Sequence, residues 1–99
     1  MPATIDKLTA ADTGFLVAGS PSGPGIPPLV CLHGIGGDAT SFMPQLHGLS
    51  KRQWTLSWNM PGYGPSAPMA EMSFASMCDR LCSALDALGI NRVVIAGQS

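Results

Sequence analysis

The run Leu85-Asp86-Ala87-Leu88-Gly89-Ile90-Asn91-Arg92-Val93-Val94-Ile95-Ala96-Gly97-Gln98-Ser99 decides how this chain is read. It begins in an amphipathic segment, breaks at Gly89, and re-forms as a short apolar run from Arg92 to Ala96. Alternation along such a run would mark a strand with one wet face. Continuous apolarity marks a strand covered on both faces. Gly97, Gln98 and Ser99 then fall at its carboxyl end, the edge where open α/β sheets bind their ligands.

Upstream the same pattern recurs. Pro28 to Leu32 is a second continuously apolar strand, and it ends abruptly in His33-Gly34-Ile35-Gly36-Gly37. Trp54 to Trp58 reads as a third, followed by the loop Asn59-Met60-Pro61-Gly62-Tyr63-Gly64-Pro65-Ser66. Between the second and third lies a short helical stretch, Ser41 to Leu49, carrying Phe42, Met43, Leu46 and Leu49. Ser73 is the N-cap expected for the best helix, which runs to Leu88. Phe74, Met77, Cys78, Leu81, Leu85 and Leu88 fall at the spacing of one buried face, and Asp79, Arg80, Ser83 and Asp86 lie largely opposite. Gly89 stands where a helix is commonly stopped. Thr13 to Ala18 reads as a strand paired with the region of Ile5 to Leu8. Gly19 to Pro28, crowded with Gly and Pro, must be a loop.

Strands alternating with helices predict an α/β fold: a mostly parallel sheet, right-handed crossovers, and helices on both faces. The loops after Leu32, Trp58 and Ala96 share the carboxyl edge and can converge there. Ninety-nine residues make at most one domain. Only 11% are charged, against about 25% in ordinary soluble domains, while 45% are hydrophobic. Residues 1–99 are therefore expected to be the N-terminal portion of one larger domain, its remainder absent or on a second chain.

A net charge of −1 without a basic block argues against nucleic acid and against an anionic membrane surface. No apolar run approaches the roughly 20 residues of a membrane span, and the first residues lack the pattern of a secretory signal. Cys31, Cys78 and Cys82 have no metal-ligand spacing. They read as reduced, buried thiols, which suits a cytoplasmic protein.

Three segments together resemble the α/β-hydrolase family in its serine-nucleophile branch. Residues 30–37 (V-C-L-H-G-I-G-G) look like the family's strand and His-Gly oxyanion turn. Residues 58–66 (W-N-M-P-G-Y-G-P-S) are similar to its strand, acidic residue and Gly-x-Gly-x-Ser turn, with Asn59 where many relatives carry Asp. Residues 85–99 look like the lead-in to the nucleophile elbow, whose full form is G-x-S-x-G. The likeness spans about residues 13–99.

The resemblance implies Ser99 as nucleophile, with Gly97 and Gln98 forming the near half of the elbow. It implies the amide of Ile35 as an oxyanion donor, that of Gly36 as an alternative, and His33, Gly34 and Gly37 as support for that loop. Dehalogenase and epoxide-hydrolase branches carry Asp at the nucleophile position, so a serine argues against both chemistries. Family triads run Ser, acid, His along the chain, which places both partners beyond residue 99 and excludes His33 as the base despite its neighbour Asp38. His47 reads as a helix-surface or inter-helix residue. Trp54, Trp58, Tyr63, Met60, Met69 and Met72 read as packing residues first and pocket residues second.

The activity implied for the complete protein is hydrolysis of a small, partly apolar ester or similar carbonyl compound through an acyl-enzyme, with no metal or organic cofactor. The rivals are lactone or carbon–carbon hydrolysis, a lyase on the same scaffold, and a non-catalytic binder of a small ligand or partner. Residues 1–99 alone are expected to be inactive.

Overall fold

The computed structural model describes residues 4–21 and 25–98; Ser99 lies outside them. The chain forms β1 (Ile5–Ala10), β2 (Thr13–Ala18), β3 (Leu29–Leu32), a 3-10 turn (Ala39–Phe42), α1 (Met43–Leu49), β4 (Thr55–Trp58), α2 (Phe74–Ala87) and β5 (Val94–Gly97). The strands make one sheet in the order β1-β2-β4-β3-β5.

β1 and β2 are an antiparallel hairpin turned at Ala11 and Asp12. Both have positive φ (46° and 63°), which the two-residue turn matching sheet twist demands. β2 also runs antiparallel to β4, whereas β4, β3 and β5 are mutually parallel. The expected parallel sheet is thus the β4-β3-β5 block, and β1 and β2 make the whole sheet mixed.

From β3 the chain steps to one side to reach β4, then crosses back over β3 to reach β5. Right-handed crossovers in opposite directions put their helices on opposite faces. The packing agrees. Val30, Leu56 and Trp58 join Leu81, Ala84 and Leu85 of α2 in one cluster, while Leu29 and Cys31 pack with Phe42 on the other face. The reversal of strand order also leaves a crevice at the carboxyl ends of β3 and β5, the usual site of ligand binding in such sheets.

α2 is bounded as its sequence asks. The Ser73 hydroxyl accepts from the Ser76 amide at 3.0 Å, and the Ser76 hydroxyl accepts from the Ser73 amide at 2.9 Å. At the other end Ile90 N–H reaches the Leu85 carbonyl (2.9 Å) and Gly89 N–H that of Asp86 (3.0 Å), with Gly89 at φ 73°. This is the Schellman stop, and its hydrophobic contact is made by Ile90 with Leu85.

Two expectations are corrected. The apolar stripe of α2 is buried only in its second half, at Leu81, Ala84 and Leu85; Phe74 is 86% exposed and Cys78 is exposed. Of the cysteines only Cys31 is buried, and Cys82 is exposed like Cys78. Nothing in the described chain covers the first two turns of α2, which hold Phe74 and Cys78, while Cys82 stands off the face that Leu81, Ala84 and Leu85 bury. β5 has the same character, with Val94 and Ile95 exposed despite their apolar run.

Candidate active site

The parallel register sets Leu32 opposite Gly97, and Gln98 N–H donates to the Leu32 carbonyl at 3.1 Å. The residue before Ser99 is therefore bonded to the residue before His33. The glycine turn and the end of β5 meet at one rim of the sheet.

The turn closes through Gly37 N–H on the Gly34 carbonyl, 3.0 Å. Its third residue, Gly36, has φ 92°, a conformation only glycine takes without strain. Ile35 stands outermost, 90% exposed. Behind it the backbone continues into the 3-10 turn, capped by Asp38. The Thr40 hydroxyl and then the Thr40 amide donate to the Asp38 carboxylate and hold it below the ordinary carboxylate range.

His33 is buried beneath this turn. Its Nδ1 lies 2.8 Å from the Gly34 carbonyl and its Nε2 3.1 Å from the Met60 amide. A carbonyl can only accept and an amide N–H can only donate. Nδ1 therefore carries the proton and Nε2 is bare: the surroundings select one neutral tautomer. Tyr63 packs on the ring, centroids 5.1 Å apart and planes tilted by 56°. His33 thus ties the glycine turn to the loop after β4.

That loop is itself anchored. Asn59 Oδ1 accepts from Ala39 N–H (3.0 Å) and Asn59 N–H donates to the Gly14 carbonyl (2.9 Å). Ser66 Oγ donates to the Asn59 carbonyl (2.6 Å) and accepts from Gly14 N–H (2.8 Å). An amide at position 59 supplies the acceptor without placing a charge in a buried site. Neither the Met60 amide nor these anchors can be found from spacing, because backbone groups of a loop have no sequence signature.

A cavity of about 560 Å³ opens at this rim. His33, Gly34, Ile35 and Gln98 line one side, and Leu32, Trp58, Met60, Phe74, Met77, Cys78 and Leu81 line the rest. The turn residues Gly36 and Gly37 and the strand residue Gly97 lie next to it in the chain but not on its wall. The exposed apolar half of α2 borders this opening, on a stripe whose spacing reads as core. A second cavity, about 340 Å³, lies at the opposite, amino-terminal rim among Pro27, Pro28, Trp54, Ile90 and Arg92, away from these loops. Among the described residues no group of three His, Cys, Asp or Glu side chains is disposed to hold a metal ion. No helix among them is long and apolar enough to cross a membrane.

Known proteins share this fold. Residues 27–99 match the family described as alpha/beta hydrolase fold, and the chain belongs to that family. It is 33% identical over 73 residues to the (E)-2-((N-methylformamido)methylene)succinate hydrolase of Acinetobacter baylyi, covering 73% of this chain and 28% of that protein. It is 35% identical over 82 residues to the 2-succinyl-6-hydroxy-2,4-cyclohexadiene-1-carboxylate synthase of Salmonella typhi, covering 80% and 31%. The enol-lactonase structure from Burkholderia xenovorans superposes with a TM-score of 0.77 at 24% identity, over 95% of this chain and 37% of that one. The chain thus spans about a third or less of the length of these relatives.

Proposed function

We propose that the whole protein is a serine-dependent hydrolase of a small, partly apolar ester or similar carbonyl compound. Ser99 attacks the carbonyl. A histidine and an acid from beyond residue 99 take its proton and orient the base. The Ile35 amide, or that of Gly36, and the amide following Ser99 receive the oxyanion, with Gly97 and Gln98 leading into the elbow. His33, Gly34 and Gly37 hold the turn in place. The remainder of the fold, continuing this chain or supplied as a second one, completes the sheet beyond β5.

One observation carries this reading: the bond from Gln98 to Leu32, which sets the approach to Ser99 beside the glycine turn. The hydrolase names among the relatives support it. A fluorophosphonate should label Ser99 in the whole protein, and Ser99→Ala should abolish labelling and lower kcat by roughly 10,000-fold or more. Failure to label that serine would overturn the nucleophile assignment and favour a binder on the same scaffold. The synthase among the relatives supports a second reading, lyase or carbon–carbon chemistry with the same groups. Labelling of Ser99 without turnover of simple esters would favour it.

A further inference from the structure

We infer that Asn59, together with Ser57, positions the Ile35 and Gly36 amides by clamping the backbone of Ala39 to the carboxyl end of β4. The inference rests on the hydrolase reading for its catalytic consequence and on buried hydrogen bonds alone for its geometry. Positions 57 and 59 alternate along the chain and so share one face of the sheet. From that face Ser57 Oγ donates to the Ala39 carbonyl at 2.8 Å, and Asn59 Oδ1 accepts from the Ala39 amide at 3.0 Å. A single residue is thus held through both of its backbone groups. Ala39, Ser57 and Asn59 are all buried by the described chain itself, so the clamp owes nothing to whatever completes the fold.

The near end of the glycine turn is tied to the same region, through His33 Nε2 and the Met60 amide. Between His33 and Ala39 the chain has little slack. Gly37 N–H closes on the Gly34 carbonyl at 3.0 Å, and a Cβ on Gly37 would stand 2.6 Å from Ser41 Oγ, so the turn rests directly on the 3-10 turn that Ala39 begins. Asn59 is fixed in its own right by its backbone bonds to Gly14 and Ser66. A Cβ on Gly64 would stand 3.0 Å from the Asn59 carboxamide, so the loop packs directly on that side chain. The amides at 35 and 36 therefore take their place from β4 as well as from β3, the strand that carries them. Donors held in advance of the reaction act on charge that develops in the transition state, so a loosened clamp acts on turnover and not on ground-state binding.

Three variants of the whole protein test this. Asn59→Leu keeps the branching of the side chain and removes the acceptor, and Asn59→Asp restores an acceptor. Ser57→Ala removes the other half of the clamp and carries the test if Asn59→Leu does not fold. With p-nitrophenyl butyrate, kcat and kcat/KM should fall together by about 10- to 100-fold in Asn59→Leu and Ser57→Ala. Asn59→Asp should return to within about 5-fold of the parent, a rescue that mere loss of packing would not produce. NMR of the same proteins reads the clamp without turnover. The Ala39 amide should exchange at least about 10-fold faster in Asn59→Leu. The Ile35 and Gly36 amide resonances should shift in that variant and in Ser57→Ala, and return in Asn59→Asp. Unmoved Ile35 and Gly36 resonances, a loss confined to KM, or Asn59→Asp as slow as Asn59→Leu would overturn the inference and leave the hydrolase reading standing. A parent that neither turns over the ester nor labels at Ser99, with the amides responding as described, would do the reverse.

Discussion

At the scale of single residues, the two bonds of His33 matter more than its charge. His33→Ala leaves the Met60 amide without its acceptor and the Gly34 carbonyl without its donor, and should destabilise the protein by about 1–3 kcal/mol in denaturant unfolding. The same variant should lower kcat by up to about 100-fold with little effect on KM, because a displaced turn misplaces whatever its amides bind. Gly36→Ala meets no neighbouring atom, so its penalty is purely conformational, roughly 1–2 kcal/mol. Cys31 is different in kind: burial pushes its thiol up to about 11 from 9.0. The neutral form is the one the fold favours. The unfolded chain ionises first, so stability should hold below pH 9.0 and fall as pH rises from there towards 11. Timed alkylation near pH 8 with mass spectrometry should modify the exposed Cys78 and Cys82 and spare Cys31.

Elements divide into those whose sequence pattern reports burial and those whose pattern reports something else. In α2, Leu81→Ala or Leu85→Ala should cost about 2–5 kcal/mol, as deletions from a packed core do. Phe74→Ala, on the same stripe, should cost less than either, because the described chain leaves that ring 86% exposed. Chemical denaturation of the three variants side by side checks both. The stripe itself was legible in the sequence, as were the Ser73 cap, the Gly89 stop and the bounds of β2. β3 and β4 were expected one residue longer, at Pro28 and Trp54. Their continuous apolarity correctly signalled cover on both faces, since β4 is buried throughout. What periodicity could not reveal is which apolar surface faces a ligand or a missing neighbour. Phe74 and Cys78, which border the cavity, and Val94 and Ile95, which do not, read as core because apolar composition is the same whatever covers it. Likewise the Ala11-Asp12 turn lacks the glycine that usually announces such a hairpin, so β1 was only roughly placed.

For the whole molecule, the open edge of β5 and the uncovered turns of α2 are the dominant facts. Residues 1–99 produced alone should be insoluble or molten, because an apolar edge strand and an apolar helix face both meet water. A sharp thermal transition with a dispersed NMR spectrum would contradict this. The rim that unites the glycine turn with the approach to Ser99 is the feature from which the functional reading follows. It is tested most directly by a crystal structure of the whole protein after reaction with an alkyl fluorophosphonate. The account predicts phosphorus bonded to Ser99 Oγ, with a phosphoryl oxygen about 2.7–3.1 Å from the amide of Ile35 or Gly36. An adduct on another residue, or an oxygen turned away from the glycine turn, would contradict it.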